Sequence, residues 1–132
     1  MNVNVLTEQG RVPVTVLRVE GDIDSNTYEA FEKQGRQAIQ AGARHVLVDL
    51  SKVSYVSSAG VRALTALFQA LRAAAPDAEP ADLQKGLRDG TYRAPHFKLL
   101  NPSKEVDYVL KTTGLDMFLD IFKDYQTAIT SF

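Results

Sequence analysis

Two adjacent serines are the clearest chemical feature of this 132-residue chain. Ser57 and Ser58 are followed by the small residues Ala59 and Gly60, where a helical pattern begins. A hydroxyl at a helix start can cap free backbone N–H groups, and it can also carry a phosphate. Ala59 and Gly60 are small, so no large side chain covers this helix start. We therefore take Val53–Val61 as the candidate functional site.

The composition argues against several other chemistries. The chain has no cysteine, which excludes disulfides, thiolate zinc sites and cysteine nucleophiles, and with only His45 and His96 no metal site is predicted. Ser58 has no plausible histidine or lysine base nearby in sequence, and no glycine-rich phosphate cradle follows a strand. We therefore predict no enzymatic activity and no cofactor.

Charge and hydropathy bound the location and partners of the chain. The formal net charge of -1 favours neither nucleic acid nor an anionic membrane. Residues 1–6 do not resemble a secretory signal, and no apolar run approaches the roughly 20 residues that span a bilayer. The length fits one domain over residues 1–132. These features predict a soluble cytoplasmic protein without membrane insertion.

The hydrophobic pattern predicts the elements that must position the serines. Residues 45–50 are almost continuously aliphatic, as in a strand buried on both faces of a parallel sheet covered by helices. Asn26 and Glu29 have capping-box spacing before a helical pattern in which Gly35 would allow close helix–sheet contact and Gly42 would end the helix. The remaining predicted elements are a hairpin over 3–20, a helix over 61–71, a strand over 97–100, a helix from 103, a short strand within 115–122 and a final helical turn after 124. The pattern is that of an α/β domain with a mixed sheet.

Three aspartates follow predicted strands. Asp22 and Asp24 come after the second strand, and one of them, or Ser25 or Asn26, could cap the next helix. Asp49 lies at the carboxyl end of its strand, where open α/β sheets place functional loops, although it could simply end the strand. We expect the charges of all three aspartates to lie near the two serines at the helix start.

The stretch from Ala75 to Pro95 interrupts the pattern. It is rich in proline, glycine and mixed charges, with a possible short helix at 81–88. Long loops in compact domains are usually functional or disordered. We predict a flexible insertion at 76–95, and we place Arg62, Gln69 and Arg72 on the solvent side of the preceding helix.

An ordered set of short motifs resembles one family. The motifs are Gly21–Asp24, Val46–Ser51, Val53–Val61, Leu99–Ser103 and Val109–Leu115, which together cover nearly the whole chain. The chain resembles the STAS domain, the sulphate-transporter and anti-sigma-factor-antagonist fold, and more narrowly the free-standing bacterial anti-sigma factor antagonists. The resemblance implies a single domain with a mixed β-sheet covered by α-helices.

The resemblance also implies a regulatory switch. In that family a serine at the position of Ser58 is phosphorylated by an anti-sigma factor that is itself a serine kinase. The dephosphorylated antagonist binds this kinase and frees a sigma factor, which regulates transcription, and a phosphatase resets the system. Ser58 is then the expected phosphorylation site, with Ser57 the less favoured alternative. The expected partner-binding residues are Asp22, Asp24, Ser57, Ser58, Gly60 and Arg62.

Two departures keep other functions open. The commonest family pattern is Asp-Ser-Ser-Gly, whereas Ser57 here replaces the aspartate and Ala59 the second serine. Typical members also have a short connection in place of residues 76–95. Ser57 or Ser58 could be only a helix cap, and the chain could then be a non-phosphorylated STAS adaptor subunit of a lipid-transport or other protein complex. A third reading is a small-ligand or nucleotide site at the carboxyl ends of the strands.

Overall fold

The computed structural model describes residues 1–132, which form five strands and five α-helices. The strands are β1 (Asn2–Gln9), β2 (Pro13–Glu20), β3 (Val46–Lys52), β4 (Phe97–Leu100) and β5 (Ile121–Phe122). The helices are α1 (Tyr28–Gln40), α2 (Ser58–Ala74), α3 (Pro80–Asp89), α4 (Lys104–Thr112) and α5 (Tyr125–Thr130), with a 3-10 turn at Leu115–Met117. No helix is both long enough and apolar enough to cross a membrane.

The five strands form one mixed sheet in the order β1-β2-β3-β4-β5. β1 and β2 form the predicted antiparallel hairpin, and every later neighbour pairs in parallel. Pro13, which cannot donate a backbone hydrogen bond, stands at the first position of β2, a position that tolerates proline. The predicted α/β fold with a mixed sheet is confirmed.

Alternation along the strands separates two hydrophobic cores. Leu17 and Val19 of β2 point into the larger core, which also contains the buried stripe of α2, whereas Val14 and Val16 point into a smaller core with α5. Successive side chains of a strand point to opposite faces, so the sequence of β2 predicts this division. β3 contributes to both cores and is buried on both faces, as expected.

The entry into α1 differs from the prediction. The helix begins after Thr27, so the expected capping box between Asn26 and Glu29 does not form. Instead, Oδ1 of Asp24 accepts hydrogen bonds from the Asn26 N–H (2.9 Å) and from the Thr27 hydroxyl (3.2 Å). Aspartate commonly stabilises a turn by accepting from the backbone two residues later. Asp24 therefore shapes the turn before the helix.

The two glycines of the α1 region have different roles. Gly42 has a φ of +116° just after the helix, which confirms that it ends the helix. A Cβ on Gly35 would lie 2.5 Å from a side-chain methyl carbon of Leu67 in α2. Gly35 thus allows close contact between two helices, and the prediction of a helix–sheet contact was wrong.

The insertion contains α3, which extends the predicted short helix by one residue at each end. Asp77 receives hydrogen bonds from Arg72 Nε (2.8 Å) and from the Tyr92 hydroxyl (2.8 Å). Burial alone would raise the pKa of Asp77, but these two bonds outweigh it and lower the pKa. Arg72 is therefore engaged and only 18% exposed, which corrects its placement on the solvent side. The flexibility of the insertion remains a prediction.

Candidate functional site

The two serines occupy different positions at the start of α2. Ser57 is the N-cap residue with extended backbone, and its Oγ accepts a hydrogen bond from the Gly60 N–H at 3.3 Å. Ser58 is the first helical residue, and its side chain is exposed. Capping by Ser57 leaves the Ser58 hydroxyl available for chemistry. Of the two serines that the sequence left as possible caps, Ser57 is the one that caps the helix.

The loop after β2 lies directly against the start of α2. The Ile23 N–H donates to the Tyr55 carbonyl (3.0 Å), and the Ser57 N–H donates to the Ile23 carbonyl (2.9 Å). Ile23 and Val56 also form a parallel β-bridge, and both side chains are buried. These backbone bonds bring Asp22 and the adjoining turn beside the serines, although the two segments are more than thirty residues apart in the sequence.

Gly60 makes this close approach possible. A Cβ at this position would lie 2.5 Å from the Ile23 carbonyl oxygen and 2.8 Å from Cγ1 of Val56. The nearest obstacle is backbone, so a larger residue would have to move the loop or the helix. Gly60 is buried and determines how the surface around Ser58 is shaped.

The charged residues around the serines differ in availability. Asp22 is exposed, and its carbonyl accepts a hydrogen bond from the Thr27 hydroxyl at 2.7 Å. Asp24 is half-buried, and its carboxylate already accepts hydrogen bonds within the turn. Arg62 is exposed and follows Ser58 by four residues, so the two lie on one helix face. The structure thus leaves Asp22 and Arg62 exposed on the two segments that meet at the start of α2.

Arg62 also acts electrostatically on α1. The pKa of Tyr28 is raised, chiefly because its hydroxyl donates a hydrogen bond to the Glu29 carboxylate at 3.1 Å, and the charge of Arg62 opposes this rise. Arg62 is therefore close enough to Tyr28 for its charge to be felt. The candidate surface extends from the start of α2 to the start of α1.

Tyr55 is a candidate that the sequence reasoning missed. It lies in the loop between β3 and α2, and 51% of its surface is exposed. Exposed tyrosines are enriched in protein–protein interfaces, where they supply both apolar contact and a hydroxyl. An aromatic residue just before the two serines was the available signal.

Asp49 does not join this group. Its neighbours Val48 and Leu50 point into the core shared with α2, so Asp49 points to the opposite face. There its carboxylate contacts Arg18 Nε (3.2 Å) and accepts from the Ser51 hydroxyl (2.6 Å). The expectation that the Asp49 charge lies near Ser58 is wrong, because alternation along the strand puts the sheet between them.

The histidines lie at the starts of β3 and β4. Nδ1 of His45 and Nδ1 of His96 are 3.2 Å apart. Burial, and then the charges of His96 and Lys98, lower the pKa of His45. No group of three or more histidine, cysteine, aspartate or glutamate side chains could hold a metal ion.

The helix start has the chemistry of an anion-tolerant surface. The first backbone bond within the helix runs from the Val61 N–H to the Ser57 carbonyl (2.9 Å). The N–H groups of Ser58 and Ala59 precede it and have no acceptor within the helix, as is general at helix starts. These groups and the positive end of the helix dipole favour a negative charge on Ser58.

Known proteins share this architecture. Solved structures with the fold include an anti-sigma factor antagonist from Mycobacterium paratuberculosis, 20% identical, with a TM-score of 0.69 over 98% of this chain and 93% of that one. An anti-sigma-factor antagonist (STAS) domain protein from Planctomyces limnophilus is 20% identical, with a TM-score of 0.68 over 96% and 94%. The Bacillus cell fate determinant SpoIIAA in its phosphorylated form is 20% identical, with a TM-score of 0.60 over 96% of each chain.

The family model of the STAS domain matches residues 5–76, more than half of the chain. The matched range runs from β1 to just beyond the end of α2 and therefore includes the loop after β2 and both serines. With the mixed five-stranded sheet and the packed start of α2, this match shows that the chain belongs to the STAS domain family.

Proposed function

We propose that this protein is an anti-sigma factor antagonist whose binding to an anti-sigma factor kinase is switched by phosphorylation of Ser58. The observation that carries the proposal is that the two serines at the start of α2 have different structural roles. Ser57 supplies the cap, while Ser58 stands exposed at the first helical position. A modification of Ser58 therefore leaves the capping bond intact.

A phosphate on Ser58 would change the surface more than the fold. It adds about 1.5 to 2 negative charges at neutral pH, which the helix dipole and the free N–H groups tolerate. A partner that covers this surface would instead meet added charge beside Asp22, with repulsion and loss of hydration. A coupling of about 3 kcal/mol would change the affinity more than a hundredfold.

The proposed partner surface consists of exposed groups around Ser58. Asp22 and Arg62 offer opposite charges, and Tyr55 offers an exposed aromatic ring. Asp24, Ser57 and Gly60 act by holding the loop and the helix start in place. The partners would be an anti-sigma factor serine kinase and a phosphatase in a bacterial cytoplasm, and the consequence would be regulation of transcription without direct contact with nucleic acid. We assign no catalysis and no cofactor to the chain.

A precedent within the fold supports this chemistry. SpoIIAA is described as an anti-sigma factor antagonist in an unphosphorylated form and also in a phosphorylated form. Both structures are 20% identical to this chain. We extend the same modification to Ser58 because the structure leaves its side chain exposed at the helix start.

The decisive experiment incubates the purified protein with its cognate kinase and ATP, followed by mass spectrometry. We expect one phosphate on Ser58, none on Ser58→Ala, and continued phosphorylation of Ser57→Ala. We also expect Ser58→Asp to weaken kinase binding at least tenfold in calorimetry, whereas the uncharged Ser58→Asn retains it. Absence of phosphate from Ser58, together with unchanged binding by Ser58→Asp, would refute the proposal.

The second candidate is a STAS adaptor that is not phosphorylated, in which the same helix start packs on a subunit of a lipid-transport or other complex. The serine at position 57, in place of the usual aspartate, and the extra helix α3 beside the end of α2 favour it. A pull-down that recovers transporter subunits and no kinase, with binding insensitive to Ser58→Asp, would select this adaptor.

A further inference from the structure

The outer edge of β1 is unpaired along the whole strand. β1 pairs only with β2 and is the first strand of the sheet. The Thr15 N–H of β2 donates to the His45 carbonyl just before β3. The backbone N–H and C=O groups of the odd-numbered residues of β2 therefore point toward β3, and those of the even-numbered residues point toward β1. The uninterrupted register pairs Glu8 with Val14 and Leu6 with Val16. The even residues of β1 therefore bond to β2, and its odd residues direct their N–H and C=O groups outward.

The outward groups belong to Val3, Val5, Thr7 and Gln9. Proteins usually block such an edge with proline, lysine, a bulge or a covering helix. β1 contains no proline and no lysine, and its pairing with β2 shows no bulge. A long regular edge without these devices is a template for pairing with another strand.

The surface beside this edge is open as well. Val5 is 46% exposed. It borders an open cavity of about 550 Å³ between the hairpin and the end of α1. The lining residues at the end of α1 include Ala38 and Ala41, whose small side chains do not fill this cavity. The face of the hairpin next to Val5 is therefore left partly uncovered by α1.

We propose that two copies of this chain pair antiparallel through β1, across a two-fold axis at Leu6, so that one sheet runs through both copies. In this register Val5 lies opposite Thr7 of the second copy, and Val3 lies opposite Gln9. Every outward N–H and C=O from Val3 to Gln9 then finds a partner, because only odd residues face odd residues.

The side chains make the second copy a better occupant than an arbitrary strand. Leu6 meets Leu6 of the second copy, and Asn4 meets Glu8, the only charged residue of β1. Opposed like charges would destabilise an antiparallel pair, and this register contains none. Oε1 of Glu8 already accepts a hydrogen bond from the Tyr125 hydroxyl at 2.9 Å. The other carboxylate oxygen can accept from the amide of Asn4.

The pairing has a consequence for the Ser58 surface. The Cα of Met1 lies 3.3 Å from the Cβ position of Gly21, so β1 starts at the end of the sheet where the loop after β2 meets α2. Antiparallel pairing would place the two Ser58 surfaces at opposite ends of the shared sheet. Each surface would remain open to its own partner.

Sedimentation equilibrium over a concentration series tests the association, with a mass of 14.5 kDa for the single chain. We expect a reversible dimer. Val5→Pro removes an outward N–H without touching a bond to β2, so it should raise the dimer dissociation constant at least tenfold while keeping the circular dichroism of the wild type. Val5→Lys tests the same edge without proline, and Val5→Thr is the matched control that keeps dimerising.

Single cysteines test the register, because the chain contains none of its own. Leu6→Cys would place two thiols at a non-hydrogen-bonded pair, where Cα atoms are about 4.5 Å apart, within disulfide range. We expect it to form a covalent dimer under mild oxidation and Val5→Cys to do so much more slowly. A wild type that remains monomeric at all concentrations, a dimer insensitive to both Val5→Pro and Val5→Lys, or preferential cross-linking of Val5→Cys would overturn the proposal. Dimerisation by Ser58→Ala separates this test from that of the switch.

Discussion

The two ends of helix α2 are held in different ways. At the start, backbone bonds from the loop around Ile23 and the missing side chain of Gly60 fix the geometry. At the end, the side chains of Arg72, Asp77 and Tyr92 join α2 to the insertion. A charge added to an exposed side chain at the start of α2 would therefore leave the supporting backbone contacts intact. The contacts at the end of α2 depend on the charges of Arg72 and Asp77.

This difference suits the proposed division of function along one helix. A switch needs a surface that changes while the fold remains constant, and backbone contacts provide that constancy because they do not depend on ionisation at moderate pH. The ionic contacts at the far end are side-chain contacts, and they respond to acid. Substitutions at the two ends of α2 test the contrast.

The largest effect is expected from Gly60→Ala. The new methyl would lie 2.5 Å from the Ile23 carbonyl oxygen, and overpacking against backbone typically costs about 1–3 kcal/mol. Urea denaturation should show a loss of this size. Gly35→Ala is the comparison, since the atoms nearest to its methyl belong to the side chain of Leu67, which can shift at a lower cost than the backbone that the Gly60→Ala methyl meets. Equal or greater stability of Gly60→Ala would show that backbone packing does not fix the start of α2.

Asp77→Asn, at the other end of α2, should lower the free energy of unfolding by about 1–2 kcal/mol. A hydrogen bond to a charged group contributes on that order, and Arg72 is only 18% exposed. Tyr92→Phe, which removes one hydrogen bond to Asp77, should cost about 1 kcal/mol. Both losses can be measured by denaturation at neutral pH.

Low pH should abolish the contribution of the Asp77 carboxylate to folding stability. Its pKa in the folded protein is below the ordinary value of 3.8, so its charge contributes stability above 3.8, and that contribution is lost as the pH falls through the lower folded value. The stability difference between wild type and Asp77→Asn should therefore shrink below pH 3.8. A difference that stays constant with pH would contradict the ionic description of this end.

Ser57→Ala and Ser58→Ala should separate the cap from its neighbour. Loss of the bond from the Gly60 N–H to Ser57 should cost about 1 kcal/mol, whereas Ser58→Ala should change stability by less than about 0.5 kcal/mol. Parallel denaturation curves provide the comparison. Equal losses at the two positions would show that Ser58 also supports the helix.

Ser58→Asp should have a small effect of the opposite sign. A negative charge in the first turn should increase stability by about 0.3–1 kcal/mol through the helix dipole. Ser58→Asn is the uncharged control, and added salt should reduce the difference between the two. A marked loss of stability in Ser58→Asp alone would mean that a phosphate at this position disturbs the fold.

Local patterns were enough to predict most elements. The aliphatic run before Asp49 predicted a buried strand, alternation in β2 predicted two faces, and Ser103 correctly predicted the start of α4, where its side chain accepts from the Val106 N–H. These features depend on neighbours one to four residues away, so the sequence displays them directly. The ordered motifs also predicted the STAS family, which the family model confirms.

Several contacts could not be predicted because more than one local arrangement of polar residues was possible. Asn26 and Glu29 matched a capping box, yet the helix begins at Tyr28 with Thr27 as its N-cap, and Asp24 stabilises the turn before it. Arg72 matched a solvent-facing position, but Asp77 of the insertion folds back onto it. In each case a polar residue two to five positions away stabilised a different geometry from the expected one.

The sequence by itself determined the α/β order, the family resemblance and the two hydroxyls at a helix start. Only the tertiary structure brought the loop that contains Asp22 against the start of α2, and it placed α2 on the face of the sheet to which Val48 and Leu50, but not Asp49, point. The physical reason is that capping and strand alternation fix the direction of each side chain locally, whereas proximity depends on how separate segments pack. Gly60 illustrates both, since its position in the helix can be read from the sequence but the Ile23 carbonyl that requires a glycine cannot.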